Sequence, residues 1–225
     1  MDSEVYKSLL QEANLDAQSI LEKLGYQDLS PIELRRIFLL LSRSCFSSVE
    51  NYNHKAGYEL MDPPLKYSAD KYEKTLDVEL DYIYDGEEVN MRPAVYVGFD
   101  NVMFERQVLG DSGGYSEDNS TAHQAGLSKT NLILRHISPS PDLSYALADT
   151  SAEYYLALTH MLQRSMPALG DFRLNTISKI QMIDPDRERS FRVDVVFSLV
   201  FMFAWNIVSE DQRLKDIVID RFDTV

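Results

Sequence analysis

Three groups of residues have types and spacing that could do chemistry. In Gly110-Asp111-Ser112-Gly113-Gly114 a serine stands among small, turn-forming residues, a setting in which a hydroxyl can attack an acyl carbon once a histidine takes its proton and an aspartate orients that histidine. The four histidines, His54, His123, His136 and His160, could act as bases or metal ligands. The third group is a run of carboxylates, Asp70, Glu73, Asp77, Glu79, Asp81, Asp85, Glu87 and Glu88, set against only Lys71 and Lys74, which leaves a local charge of −6 between residues 70 and 90.

Each group lacks what its chemistry requires. The serine motif is similar to that of chymotrypsin-like proteases, yet the only histidine before it is His54 in NYNHKAG, and the residue after the second glycine is Tyr115 rather than proline. Such a site also needs two all-β barrels, whereas this chain carries at least three helical stretches. Ser112 is therefore expected in a long mobile loop over 107–130, with no catalytic role. No two histidines share a helical face or a ligand spacing with Cys45, so no metal site is expected, and His136 and His160 are read as structural. No glycine-rich phosphate loop occurs, and no cofactor is expected. The carboxylates alternate along a strand without the spacing of a calcium loop. Asp77, Glu79 and Asp81 are expected to line an anionic sheet face that lets a polyanion pass without adhering.

The elements that must position these residues follow from periodicity. Residues 3–24 repeat apolar side chains at helical spacing and stop at Gly25. Ser30-Pro31-Ile32-Glu33 combines a capping hydroxyl, a first-turn proline and a glutamate three residues on, so a second helix starts there and runs through IFLLL. In TLDVELDYIYDG apolar residues alternate with acids, which predicts a half-buried strand. RPAVYVGFDNVMFERQV reads as one or two strands broken near Asp100-Asn101, and NLILRHI, 131–137, as another. A third helix, capped by Asp142, runs to Pro167, and FRLNTISKIQMI and FRVDVVFSLVFMFAWNIV close the chain as a strand pair. The expected fold is α/β in the broad sense, α+β, with a mostly antiparallel sheet flanked by helices. One domain spans 1–225, with a helical part at 1–50 and a sheet-and-helix core at 70–210.

The last strand places Phe191, Val193, Val195, Phe197, Leu199, Phe201, Phe203, Trp205 and Ile207 on one parity. Extended throughout, that run covers ~55 Å, more than the ~44 Å width expected of a globule of this length. It must bend, switch to helix near Met202, or project beyond its own domain. Projection would place Phe201, Phe203 and Trp205 at a contact between subunits, with Gly110, Gly113 and Tyr115 of the loop clasping a neighbour.

Composition narrows the class. Of 225 residues, 44% are hydrophobic, and 36 acidic residues against 22 basic ones give a net charge of −14, which argues against tight sequence-independent nucleic-acid binding. A single cysteine excludes an internal disulfide. The N-terminus lacks a secretory pattern, and the longest apolar run, Val195 to Val208, is too short to span a bilayer.

The segments LRHISPSPDLSYALADTSAEYYLALTHML, FRLNTISKIQM and SFRVDVVFSLVFMFAW, in the order strands, helix, two strands, resemble head–tail junction (neck) proteins of tailed bacteriophages, tail terminators in particular. The resemblance covers roughly residues 70–210. It implies a non-enzymatic structural virion protein, a homo-oligomer that commonly forms a hexameric ring. Its implied partners are other phage neck and tail proteins and passing DNA that is not specifically bound, with no membrane. The implied location is the virion, reached through the host cytoplasm during assembly. The competing readings are a serine hydrolase using Ser112 and a monomeric cytosolic adaptor.

Overall fold

The computed structural model describes residues 16–24, 30–47, 65–70, 72–81, 93–105, 112–115, 121–183 and 190–208, with side chains for all but 105, 112–115, 121–125 and 203–208. Among these residues three helices, α1 (Ala17–Leu24), α2 (Pro31–Ser47) and α3 (Pro141–Ser165), accompany eight strands: β1 (Asp77–Leu80), β2 (Ala94–Phe99), β3 (Met103–Glu105), β4 (Ser112–Tyr115), β5 (Thr121–Ser138), β6 (Leu169–Ile177), β7 (Gln181–Ile183) and β8 (Ser190–Val208). The strands form one sheet with the order β1-β2-β5-β8-β6; β3 and β4 pair with β5, and β7 pairs with β8. Only β1 and β2 run parallel; every other pairing is antiparallel. The mostly antiparallel sheet flanked by helices is the fold the sequence predicts.

The start of α2 follows its sequence signal closely. The Ser30 amide donates to the Glu33 carboxylate at 2.9 Å and the Glu33 amide donates to Ser30 Oγ at 3.2 Å, so two amides without helical partners are satisfied reciprocally. In α3 the expected cap is displaced. Ser140 occupies the cap position and proline the first helical one, so Asp142 sits in the first turn, where its charge meets the positive end of the helix dipole. Of the expected first helix, residues 17–24 are described and helical; its earlier part lies outside the described residues.

Helices and sheet meet through one face of each strand. Val95 and Val97 of β2, Leu132 and Leu134 of β5, and Val193, Val195, Phe197, Leu199 and Phe201 of β8 are all buried in the core with residues of the three helices. At its centre Phe172 stacks on Phe197 with centroids 4.9 Å apart, and Phe38 of α2 stacks on Phe172 at 5.7 Å. Tyr155 of α3 closes the cluster against Phe38 and Phe197. Its hydroxyl donates to the Phe38 carbonyl at 3.0 Å, which leaves its oxygen to accept from Ser42 Oγ at 2.8 Å. Burial pushes the Tyr155 phenol well above its ordinary pKa, against the opposing effect of the Ser42 bond, so the group stays a neutral donor.

Candidate subunit interface

β5 and β8 pair without a register shift from Ser138↔Phe191 to Thr121↔Val208. β8 neither switches to helix nor bulges at Met202 against β5; its 19 residues extend over ~60 Å. On its other side the ladder with β6 ends at Leu169↔Phe201, and the Met202 amide donates to the Ala168 carbonyl at 2.7 Å. From 203 to 208 the only strand paired with β8 among the described residues is β5. β5 is flanked there by β4, with Ser112↔Gln124 and Tyr115↔Ala122. A ribbon of β4, β5 and β8 thus continues about 23 Å past Phe201, the last residue of β8 in the core of the described side chains.

This arrangement corrects two expectations. The loop over 107–130 is strand at 112–115 and 121–130. Its residues have weak strand propensity, but β8 offers every position of β5 a ladder partner, and β propensity depends mainly on the neighbouring strand. Gly113 and Tyr115 belong to β4, while Gly110 lies outside the described residues. Phe201 is also not a subunit contact: it is fully buried, paired with Leu169 of β6 and part of the core that includes Leu162 of α3 and Met166 just after it. Phe203 and Trp205 are in register with Gly126 and Gln124 on the ribbon.

Sequence reasoning missed the apolar residues at the base of the ribbon. Met103, Phe104 and Met202 are 62%, 61% and 48% exposed. Met103 pairs with Lys129, Phe104 with Ser128, and Met202 with Leu127. Met202 has the opposite parity to the buried series, a signal available in the sequence; the position of Met103 and Phe104 depends on a pairing with β5 that periodicity does not reveal.

The carboxylates of β1 are not a bare anionic face. Lys74 Nζ lies 2.7 Å from Asp77 and 3.1 Å from Glu79, and a terminal nitrogen of Arg43 lies 2.9 Å from Glu79. Burial alone would lower the Lys74 pKa, but its hydrogen bonds to Asp77 and Glu79 carry it above the ordinary value, which strengthens the pairing. Asp81 packs over Gly98, where an added Cβ would fall 2.2 Å from its carboxylate oxygen. The expected bare channel lining is corrected for Asp77 and Glu79: Lys74, close in sequence, pairs with both, and Arg43, a helix residue distant in sequence, adds a second counter-charge at Glu79.

Among the described residues, chemistry-bearing groups also meet at His136. His136 Nδ1 lies 3.1 Å from the Val193 carbonyl and Nε2 lies 2.8 Å from Ser151 Oγ. A carbonyl only accepts, so the ring proton sits on Nδ1 and the Ser151 hydroxyl donates to Nε2. Burial lowers the His136 pKa to about 4, against the opposing effects of the Val193 carbonyl and Asp194. The serine-to-histidine distance suits a nucleophile and its base, but both residues are buried, and the pair pins α3 to the sheet. His160 is exposed on α3; His54 lies outside the described residues, as does the side chain of His123. Among the described residues no group of histidines, cysteines and acids is placed to hold a metal ion, and no helix is long and apolar enough to cross a membrane.

Neither the known protein families nor the curated proteins contain a match to this sequence.

Proposed function

We propose that this chain is a structural virion subunit of a tailed bacteriophage, a tail terminator-like neck protein. Copies of it form a ring, commonly of six, which joins tail to head and lets DNA pass. The observation that carries the proposal is the ribbon of β4, β5 and β8, which continues in register past Phe201 to Val208. Among the described residues the helices share their core with β8 as far as Phe201, and a neighbouring copy covers the ribbon beyond it. The strand and helix order of the resembling family supports the same reading, and the net charge of −14 keeps passing DNA from adhering.

The test is complementation. Tails from a phage lacking this protein are mixed with purified subunit and then with DNA-filled heads, and infectious particles and ring-shaped tail ends are counted. Restored particles with a ring at the tail end support the proposal. Subunit that never associates with tails or heads, and leaves the titre unchanged, overturns it.

A further inference from the structure

β1 is the first strand of the sheet, with only β2 beside it among the described strands. The Asp77 amide donates to the Pro93 carbonyl at 3.1 Å, towards β2. Successive peptide groups of a strand alternate in direction, so those of Leu76, Val78 and Leu80 point away from the sheet. That outer edge is occupied by the chain's own groups. The Leu76 amide donates to the Lys66 carbonyl at 3.1 Å, and Arg43 Nε donates to the Val78 carbonyl at 3.1 Å.

Arg43 is held there from three directions. Its stem is buried, with 10% of the side chain exposed, its terminal nitrogen meets Glu79, and its guanidinium lies 5.0 Å over the Tyr67 ring. Lys74 bridges Asp77 and Glu79 beside it. A buried charge hydrogen-bonded to a carbonyl and a carboxylate is costly to displace, and an inward-held charge at a sheet edge is a known way of refusing a further strand. β8 from Phe203 to Val208, in contrast, contains neither charge nor proline.

We infer that Arg43, with Lys74 and the 65–68 segment, is an edge guard that prevents β1 from adding a strand of a second copy of this chain, so that sheet-to-sheet association between copies cannot occur at this end. The guard goes beyond the ring reading and does not depend on it, because it acts in the isolated subunit.

The test compares wild type with Arg43→Met, which keeps the stem and removes the guanidinium, and with Arg43→Met/Leu80→Pro, which also removes an outward amide of β1. Folding is checked by circular dichroism and association by sedimentation across a range of concentrations. Arg43→Met is expected to associate, with roughly a doubling or more of the weight-average mass, and the double variant to return to wild-type size. A folded Arg43→Met of wild-type mass overturns the inference, as does a double variant that associates equally. If Arg43→Met does not fold, Glu79→Ala, which releases the guanidinium but keeps its stem, takes its place; wild-type mass in that variant overturns the inference, and association supports it. None of these outcomes bears on whether the subunit joins tails, so the failure of one proposal is distinguishable from that of the other.

Discussion

His136 should make this protein acid-sensitive over a defined window. Its folded pKa is depressed from 6.5 to about 4, so the native state holds it neutral while the unfolded chain takes up a proton below its ordinary pKa. The contribution is therefore fully present above pH 6.5, is lost as the pH falls, and levels off near pH 4. A difference of about 2.5 units at 1.36 kcal/mol each gives a loss of about 3 kcal/mol, most of it reached by pH 4.5. His136→Gln keeps a side chain that can donate to the Val193 carbonyl and removes the titration. Urea unfolding of both proteins at pH 7.5 and pH 4.5 gives two stability losses, and their difference cancels the carboxylates common to both. The wild-type loss should exceed that of the variant by roughly 2–3 kcal/mol. Equal losses would show that His136 is solvated in the folded protein, and the reasoning from its burial between Ser151 and Val193 would fail.

Three other expectations are open to direct measurement. Phe197→Ala removes a ring stacked at the core centre and should cost about 3–5 kcal/mol in chemical denaturation; a loss below 1 kcal/mol would mean that the aromatic cluster repacks. Trp205→Ala, on the ribbon, should weaken assembly, since burying an aromatic at a contact is worth on the order of 2 kcal/mol, and do so more than it lowers the monomer melting temperature. If it unfolds the isolated chain and that accounts for the whole assembly defect, Trp205 is ordinary core. Ser112→Ala should leave stability and assembly within about 0.5 kcal/mol of wild type, and stoichiometric labelling of wild type, but not of the variant, by a fluorophosphonate probe would instead identify a nucleophile.

What the sequence revealed depended on how local the deciding interaction is. The Ser30–Glu33 box and the alternation of β8 are written within a few residues, and both could be read. The first half of β5 could not. TAHQAGLSKT, residues 121–130 with a glycine and several polar side chains, has the character of a loop, and it becomes strand because β8, much later in the chain, pairs with it throughout. The second counter-charge at Glu79 was hidden for a similar reason: Arg43 is 36 residues from it in sequence. Phe201 had the right parity for its face, but whether a position on that face is core or contact depends on where α3 ends, and periodicity does not report that.

The central position of β8 governs the order in which the fold can form. It is the last described strand to be synthesised, yet it lies between β5 and β6 and carries β7 as well. Until it emerges from the ribosome, β5 has β2, β3 and β4 on one side only and lacks the strand that pairs with its other side, and β6 lacks its partner β8. The aromatic stack of Phe172 on Phe197 also waits for it. Pairings this distant in sequence close slowly, and a nascent chain in that state exposes unpaired strand edges that invite aggregation. A chain broken off before residue 190 therefore lacks the strand that unites its sheet, so incomplete translation products should go to proteolysis or aggregation and not compete with whole chains.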